Sequence, residues 1–161
     1  MTPLRADIVI AAPRTRVWDL LADLESVALW SPAVRAAECT SDRPRGLGAQ
    51  RRCHMRPRGW LTETVTAWEP ERLIELTVDQ ASPIKHGVGR FELSDHGRGT
   101  RLRAGFLYEV RLGPLGPVID RLVVHRQLSS SWEQAVQGLR GHAERPLQTT
   151  ITPSNPEEPA P

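Results

Sequence analysis

The chain has 161 residues, room for one domain with its own core but not for two comfortable ones. Hydrophobic residues make up 39% and charged residues 25%, the balance of a globular protein in water, and the formal net charge is only +2. No apolar run approaches the ~20 residues that span a bilayer, and Asp7 interrupts the one apolar stretch near the start; neither a membrane span nor a signal peptide is expected, and the cytoplasm is the expected location.

Leu4 to Ile10 alternates apolar and polar positions and predicts a strand. From Pro13 the spacing turns helical, with Val17, Leu20, Leu21 and Leu24 recurring at three- and four-residue intervals. Pro13 suits a first helical turn, where its missing N–H would be unpaired anyway. Ser31-Pro32 ends this segment, because a residue before proline is pushed out of the α region. Two tryptophans, Trp18 and Trp30, lie in this short stretch.

Turn signals then recur at Arg43 to Gly48, Pro57 to Gly59, Glu69 to Glu71, Ser82-Pro83 and Asp95 to Gly99. They separate segments rich in β-branched and aromatic residues: Gln50 to Arg56, Trp60 to Trp68, Leu73 to Gln80, Val88 to Ser94 and Thr100 to Leu112. Hairpin-length connections between successive strands predict an antiparallel meander. Gly113 to Pro117 reads as a hinge, and Gly116 to Glu144, with Val118, Ile119, Leu122, Val123, Trp132, Val136 and Leu139, as one long amphipathic helix. After Glu144 the chain holds five of its 14 prolines and almost no large apolar residue, so 145–161 is expected to be a flexible tail behind a domain at 1–144. The fold class is α+β: a twisted antiparallel sheet, one face covered by the terminal helix.

Strand alternation divides the sheet into faces. Leu102, Ala104, Phe106, Tyr108 and Val110 share the inward face, as do Ile74, Leu76 and Val78; Gly89, Phe91 and Leu93; and Cys53 with Met55. Arg52, His54 and Arg56 then face water. The strand from Trp60 leaves two choices, with either Glu63 and Val65 inward or Thr62, Thr64 and Thr66. General acid–base work needs a titratable or hydroxyl group beside the ligand. The inward inventory offers Tyr108, with Glu63 as an addition, and the helix offers His125 and Ser129, four residues apart and so on one face. Tyr108, Glu63 and His125 are the catalytic candidates. The same partly polar wall also fits a pocket that hydrogen-bonds one end of an apolar ligand.

Other chemistries find no footing. Cys39 and Cys53 match no zinc spacing and read as free thiols, and neither a metal nor a cofactor is expected. Gly46-Leu-Gly48 and Gly97-Arg-Gly99 sit in hairpin-like turns, not in a phosphate loop between strand and helix. Of 21 basic residues only Lys85 is lysine, but the arginines are scattered and offset by 19 acidic residues, so no nucleic-acid partner is expected. An arginine-rich outer face binding RNA or an acidic partner would betray itself by steep salt dependence.

Several short pieces, in order, resemble the START/Bet v1 superfamily of helix-grip proteins (SRPBCC), and within it bacterial polyketide cyclase/dehydrase-like proteins. They are Ile8-Val-Ile-Ala-Ala-Pro13 with Val17-Trp18, Trp30-Ser-Pro32, Gly46-Leu-Gly48, Glu63-Thr-Val65, Trp68-Glu-Pro70, Gly97-Arg-Gly-Thr100 and Leu139-Arg-Gly-His-Ala-Glu144. The resemblance implies a curved sheet gripping the long helix, with two short helices forming a V that closes one end of a cavity. Trp18 would anchor the first helix to the sheet and Trp30 would close the mouth of the V. In receptors of this superfamily the residue at the Glu63 position can face the cavity, and the junction at Leu112 to Val118 would lie near its entrance as part of a gate. The implied function is binding of a hydrophobic small molecule (lipid, polyketide or aromatic metabolite) between sheet and helix. The alternative is polyketide cyclase, aromatase or dehydratase chemistry in the same cavity. The expected ligand-binding residues are Trp30, Met55, Leu76, Phe91, Leu102, Phe106, Tyr108, Leu122 and Ser129. No stable membrane association is expected, and the choice between monomer and homodimer stays open.

Overall fold

A computed structural model describes residues 2–79, 84–110 and 123–146. Its strands are β1 (Thr2–Ile10), β2 (Val34–Cys39), β3 (Gln50–Met55), β4 (Trp60–Glu69), β5 (Leu73–Asp79), β6 (Ile84–His96) and β7 (Gly99–Val110). They form one antiparallel sheet in the order β1-β7-β6-β5-β4-β3-β2, a meander from β2 to β7 with β1 laid against the last strand. Helix α1 (Arg14–Ala22), a single tight turn at Leu24–Ser26 and α2 (Val27–Trp30) connect β1 to β2, and α3 (His125–Glu144) follows the sheet. This is the α+β helix-grip arrangement that the resemblance implies.

The meander and its turns follow the sequence reading closely, with one strand missed. β2 reads Val34-Arg-Ala-Ala-Glu-Cys39, and only Val34 is buried. It is an edge strand, paired on one side alone, so it needs neither a β-branched run nor a clean alternation. β6 also begins earlier than expected, at Ile84. The hinge at Gly113 to Pro117, the gate at Leu112 to Val118, the helix before Val123, the turn at Ser82-Pro83 and the tail from 147 lie outside the described residues.

The core forms where α1, α2 and α3 pack on the concave face of the sheet. Trp18 is buried and meets Trp68 of β4 edge-on, ring centroids 4.9 Å apart, tying α1 to the sheet. On α3 the buried positions are Ala135, Val136, Leu139 and Ala143, a stripe at helical spacing. The C-terminal end of α3 is fastened twice. Arg16 donates from Nε to the Ala143 carbonyl at 2.6 Å and from Nη2 to the Arg145 carbonyl at 2.7 Å, placing a cation where the helix dipole is negative. The backbone N–H of Ala11 donates to Glu144 Oε1 at 2.8 Å. Further up, α3 touches the last residue of α2 so closely that a Cβ on Gly138 would stand 1.9 Å from the Trp30 carbonyl oxygen.

Candidate functional site

Between α2, α3 and the sheet lies a cavity of about 160 Å³. Its walls follow from alternation. Arg51, Cys53 and Met55 come from one face of β3, Leu61 and Glu63 from β4, Val78 from β5, Gly89 and Phe91 from β6, and Phe106 from β7. Helix α3 supplies Leu128, Ser131, Trp132 and Ala135, at spacings that put them on one side of the helix. Phe106 stacks on Trp132 at 5.8 Å, Phe91 tilts against Trp132 at 5.6 Å, and Trp30 meets Phe91 edge-on at 6.5 Å. These rings make most of the wall apolar and flat. Trp30 is held by its own hydrogen bond, Nε1 to Ser26 Oγ at 3.2 Å. The indole N–H of Trp132 is buried and has no such partner among the described residues.

One pole of the cavity is charged. Arg51 and Glu63 stand directly opposite each other in the β3–β4 ladder, where side chains on one face lie within contact. Arg51 Nε donates to Glu63 Oε2, Arg51 Nη1 donates to the Leu24 carbonyl at 2.9 Å, and the Cys53 thiol donates to Glu63 Oε2 at 3.4 Å. The Arg51 side chain is 5% exposed and that of Glu63 15%, so this is a buried ion pair rather than a surface one. Burial pulls the Arg51 pKa down, but the Glu63 carboxylate and Cys53 outweigh it and the net shift is upward. Burial pushes the Cys53 thiol up to about 12, with the Glu63 charge adding to the rise. Cys53 is therefore a thiol at neutral pH and no nucleophile.

A folded-state pKa above the unfolded value means that the native chain keeps a proton the unfolded chain releases. The Cys53 contribution is thus complete below about pH 9 and is lost as pH rises from there towards about 12. A simpler test is alkylation. At pH 8 under native conditions iodoacetamide should add once, at the half-buried Cys39, and a second time only after unfolding in urea. Two adducts formed at equal rates in the native protein would show that Cys53 is not sealed in.

The open choice on β4 is decided: Glu63 reaches the cavity and Val65 the core, while Thr64 and Thr66 face outward and bond to Gln50 and Glu75. Of the expected ligand-binding residues, Trp30, Met55, Phe91 and Phe106 line the cavity. Leu76 and Leu102 are buried core residues, 3% and 0% exposed, and are not among the described lining residues, and Leu122 lies outside the described residues. Ser129 is half-buried but stands off the lining face, which passes through Leu128, Ser131 and Trp132 instead. Four-residue spacing places His125 and Ser129 on one face of α3 without saying which face meets the sheet.

The three catalytic candidates divide. Tyr108 is fully buried, and its hydroxyl lies 3.1 Å from His125 Nδ1. Neither residue is among the described lining residues, whereas Glu63 is. Phe106, which lines the cavity, stacks on Tyr108 at 5.9 Å and on Trp132 at 5.8 Å. Arg51 went unread in the sequence, although its parity with Cys53 and Met55 was a usable signal. No group of three or more His, Cys, Asp or Glu side chains suited to a metal ion occurs among the described residues. Among the same residues no helix is long and apolar enough to cross a membrane.

A family model described as polyketide cyclase / dehydrase and lipid transport matches residues 1–144. The chain belongs to this family. Solved structures of similar proteins share the frame built above. The ZhuI aromatase/cyclase of Streptomyces sp. R1128 is similar at 21% identity and a TM-score of 0.77, over 89% of this chain and 94% of that one. A protein from Thermus thermophilus gives 22% and 0.75 over 88% and 97%, and a START superfamily protein of Mycobacterium smegmatis 19% and 0.74 over 88% and 97%. At such identities the likeness is one of fold. No curated protein matches the chain significantly in sequence.

Proposed function

We propose that this polyketide cyclase/dehydrase and lipid transport family member binds one hydrophobic small molecule in the cavity between sheet and α3. The observation that carries the reading is the wall itself: Phe91 and Phe106 against Trp132, with aliphatic neighbours and, among the described residues, a single charged pole. Size narrows the ligand. A cavity of about 150 Å³ holds benzene, while drug-sized ligands occupy roughly 300–1,000 Å³. At about 160 Å³ the cavity suits an aromatic metabolite of one or two rings as it stands and is small for a full lipid.

Met55 is one of two methionines in the chain and lines the cavity, so its methyl group is a local reporter. In protein labelled at the methionine methyls, titration with naphthalene should move the Met55 signal saturably through ring currents. Ser131→Phe, which points a ring into the cavity from α3, should abolish the shift. A Met55 signal that no aromatic moves would refute the reading. Gly87→Ala should weaken binding more mildly. Its Cβ would lie 2.8 Å from the Phe106 ring edge and 3.3 Å from Val78 Cβ, pushing a movable ring into the ligand's space.

The alternative, cyclase, aromatase or dehydratase chemistry on such a ligand, draws on the position of Glu63, the one catalytic candidate on the cavity wall. It requires Glu63→Gln to stop turnover while leaving the Met55 shift in place.

A further inference from the structure

Glu63 offers the cavity an oxygen that no described residue uses. Its Oε2 takes both Arg51 Nε and the Cys53 thiol. Oε1 accepts no hydrogen bond among the described residues, and Glu63 is one of the residues that line the cavity. Beside it the Arg51 charge is balanced by Glu63, with Nε on Oε2 and Nη1 on the Leu24 carbonyl. The pole is neutral in sum, and the corner it presents is an anionic acceptor.

Such a pole discriminates. A ligand O–H meeting Oε1 forms a charge-assisted hydrogen bond away from water, where such bonds are strong. A ligand carboxylate must instead shed its hydration and lie against the Glu63 carboxylate, with no unbalanced cation to receive it. A bare hydrocarbon leaves Oε1 desolvated and unpaired.

We propose that the cavity selects an uncharged aromatic hydroxyl compound, a phenol or an aryl alcohol, whose O–H donates to Glu63 Oε1, and rejects the carboxylic acid of the same ring. This rests on the cavity-binding reading above. It also removes fatty acids and aryl carboxylates from the candidate ligands.

The test compares three probes of one ring system at pH 7: 2-naphthol, naphthalene and 2-naphthoate, each titrated against the Met55 methyl signal. 2-Naphthol is expected to bind tighter than either of the others by on the order of tenfold or more, the range of a hydrogen bond to a charged group. In Glu63→Gln, which keeps the side-chain volume, the preference over naphthalene should collapse and naphthoate should gain on naphthol. Naphthoate binding to the wild type as well as naphthol would overturn the proposal, as would equal affinity for naphthalene and naphthol. If none of the three moved Met55, the cavity-binding reading would fall and this inference with it. Should Glu63→Gln not fold, the wild-type order decides alone.

Discussion

Arg51→Ala should lower the unfolding free energy by about 3–5 kcal/mol, the cost of removing one partner from a buried ion pair. The variant would strand the Glu63 carboxylate in a wall of Leu61, Met55 and Val78 and leave the Leu24 carbonyl without its donor. The Cys53 thiol would remain as the carboxylate's sole described partner. Urea melts would show the loss as a lower midpoint at unchanged slope. The double variant Arg51→Met with Glu63→Leu should recover most of it, because replacing both charges by apolar groups of like size is often neutral or better. Recovery would show that the pair is kept for what it presents to the cavity rather than for stability. A single-variant loss below about 1 kcal/mol, the range of exposed pairs, would mean that water reaches the pair freely.

Gly138→Ala tests how α2 closes the cavity. The new Cβ would fall 1.9 Å from the Trp30 carbonyl oxygen and 3.0 Å from its carbon, both backbone atoms that cannot rotate away. Helix α3 must then lift from α2, and the loss should reach or exceed the upper end of the roughly 1–3 kcal/mol typical of overpacking. Trp30 would move with α2, so the Met55 response to aromatics should weaken as well. Gly141→Ala, one turn on, supplies the control. Nothing lies within 4 Å of its Cβ, and alanine in an exposed helix position gains about 0.5–1 kcal/mol over glycine. Equal effects from the two substitutions would mean that α2 and α3 are not in close contact.

Most of the frame was legible because period-2 alternation and turn residues are local signals. β3 to β7 were readable from side-chain pattern alone, and the pairing of Trp18 and Trp30 with short helices followed from Pro13 and Pro32. β2 was not legible, since an edge strand with one buried residue carries no pattern. The cavity was half legible. Cys53, Met55, Phe91 and Phe106 follow from strand parity, but the same parity made Arg51 an inward residue, and its charge masked it. An arginine faces inward only when something across the sheet neutralises it, and Glu63 is the residue opposite. Neither assignment is secure until both are made together. The lining face of α3 depends on how the helix is rotated over the sheet, which is set by Gly138 against Trp30 and by Arg16 at the C-terminal end. Those are contacts across more than a hundred positions of sequence, with no local trace. Nor does any local pattern announce the meeting of Tyr108 with His125, which depends on the same placement of α3.

The cavity beside Arg51 and Glu63 is expected to hold one hydrophobic molecule. Native mass spectrometry of protein purified from its own source, followed by solvent extraction of whatever is bound, tests it most directly. A single adduct is expected, one per chain, with an aromatic hydroxyl, absent when Ser131→Phe is purified in the same way. An adduct retained undiminished by Ser131→Phe, or a carboxylic acid in its place, would contradict it.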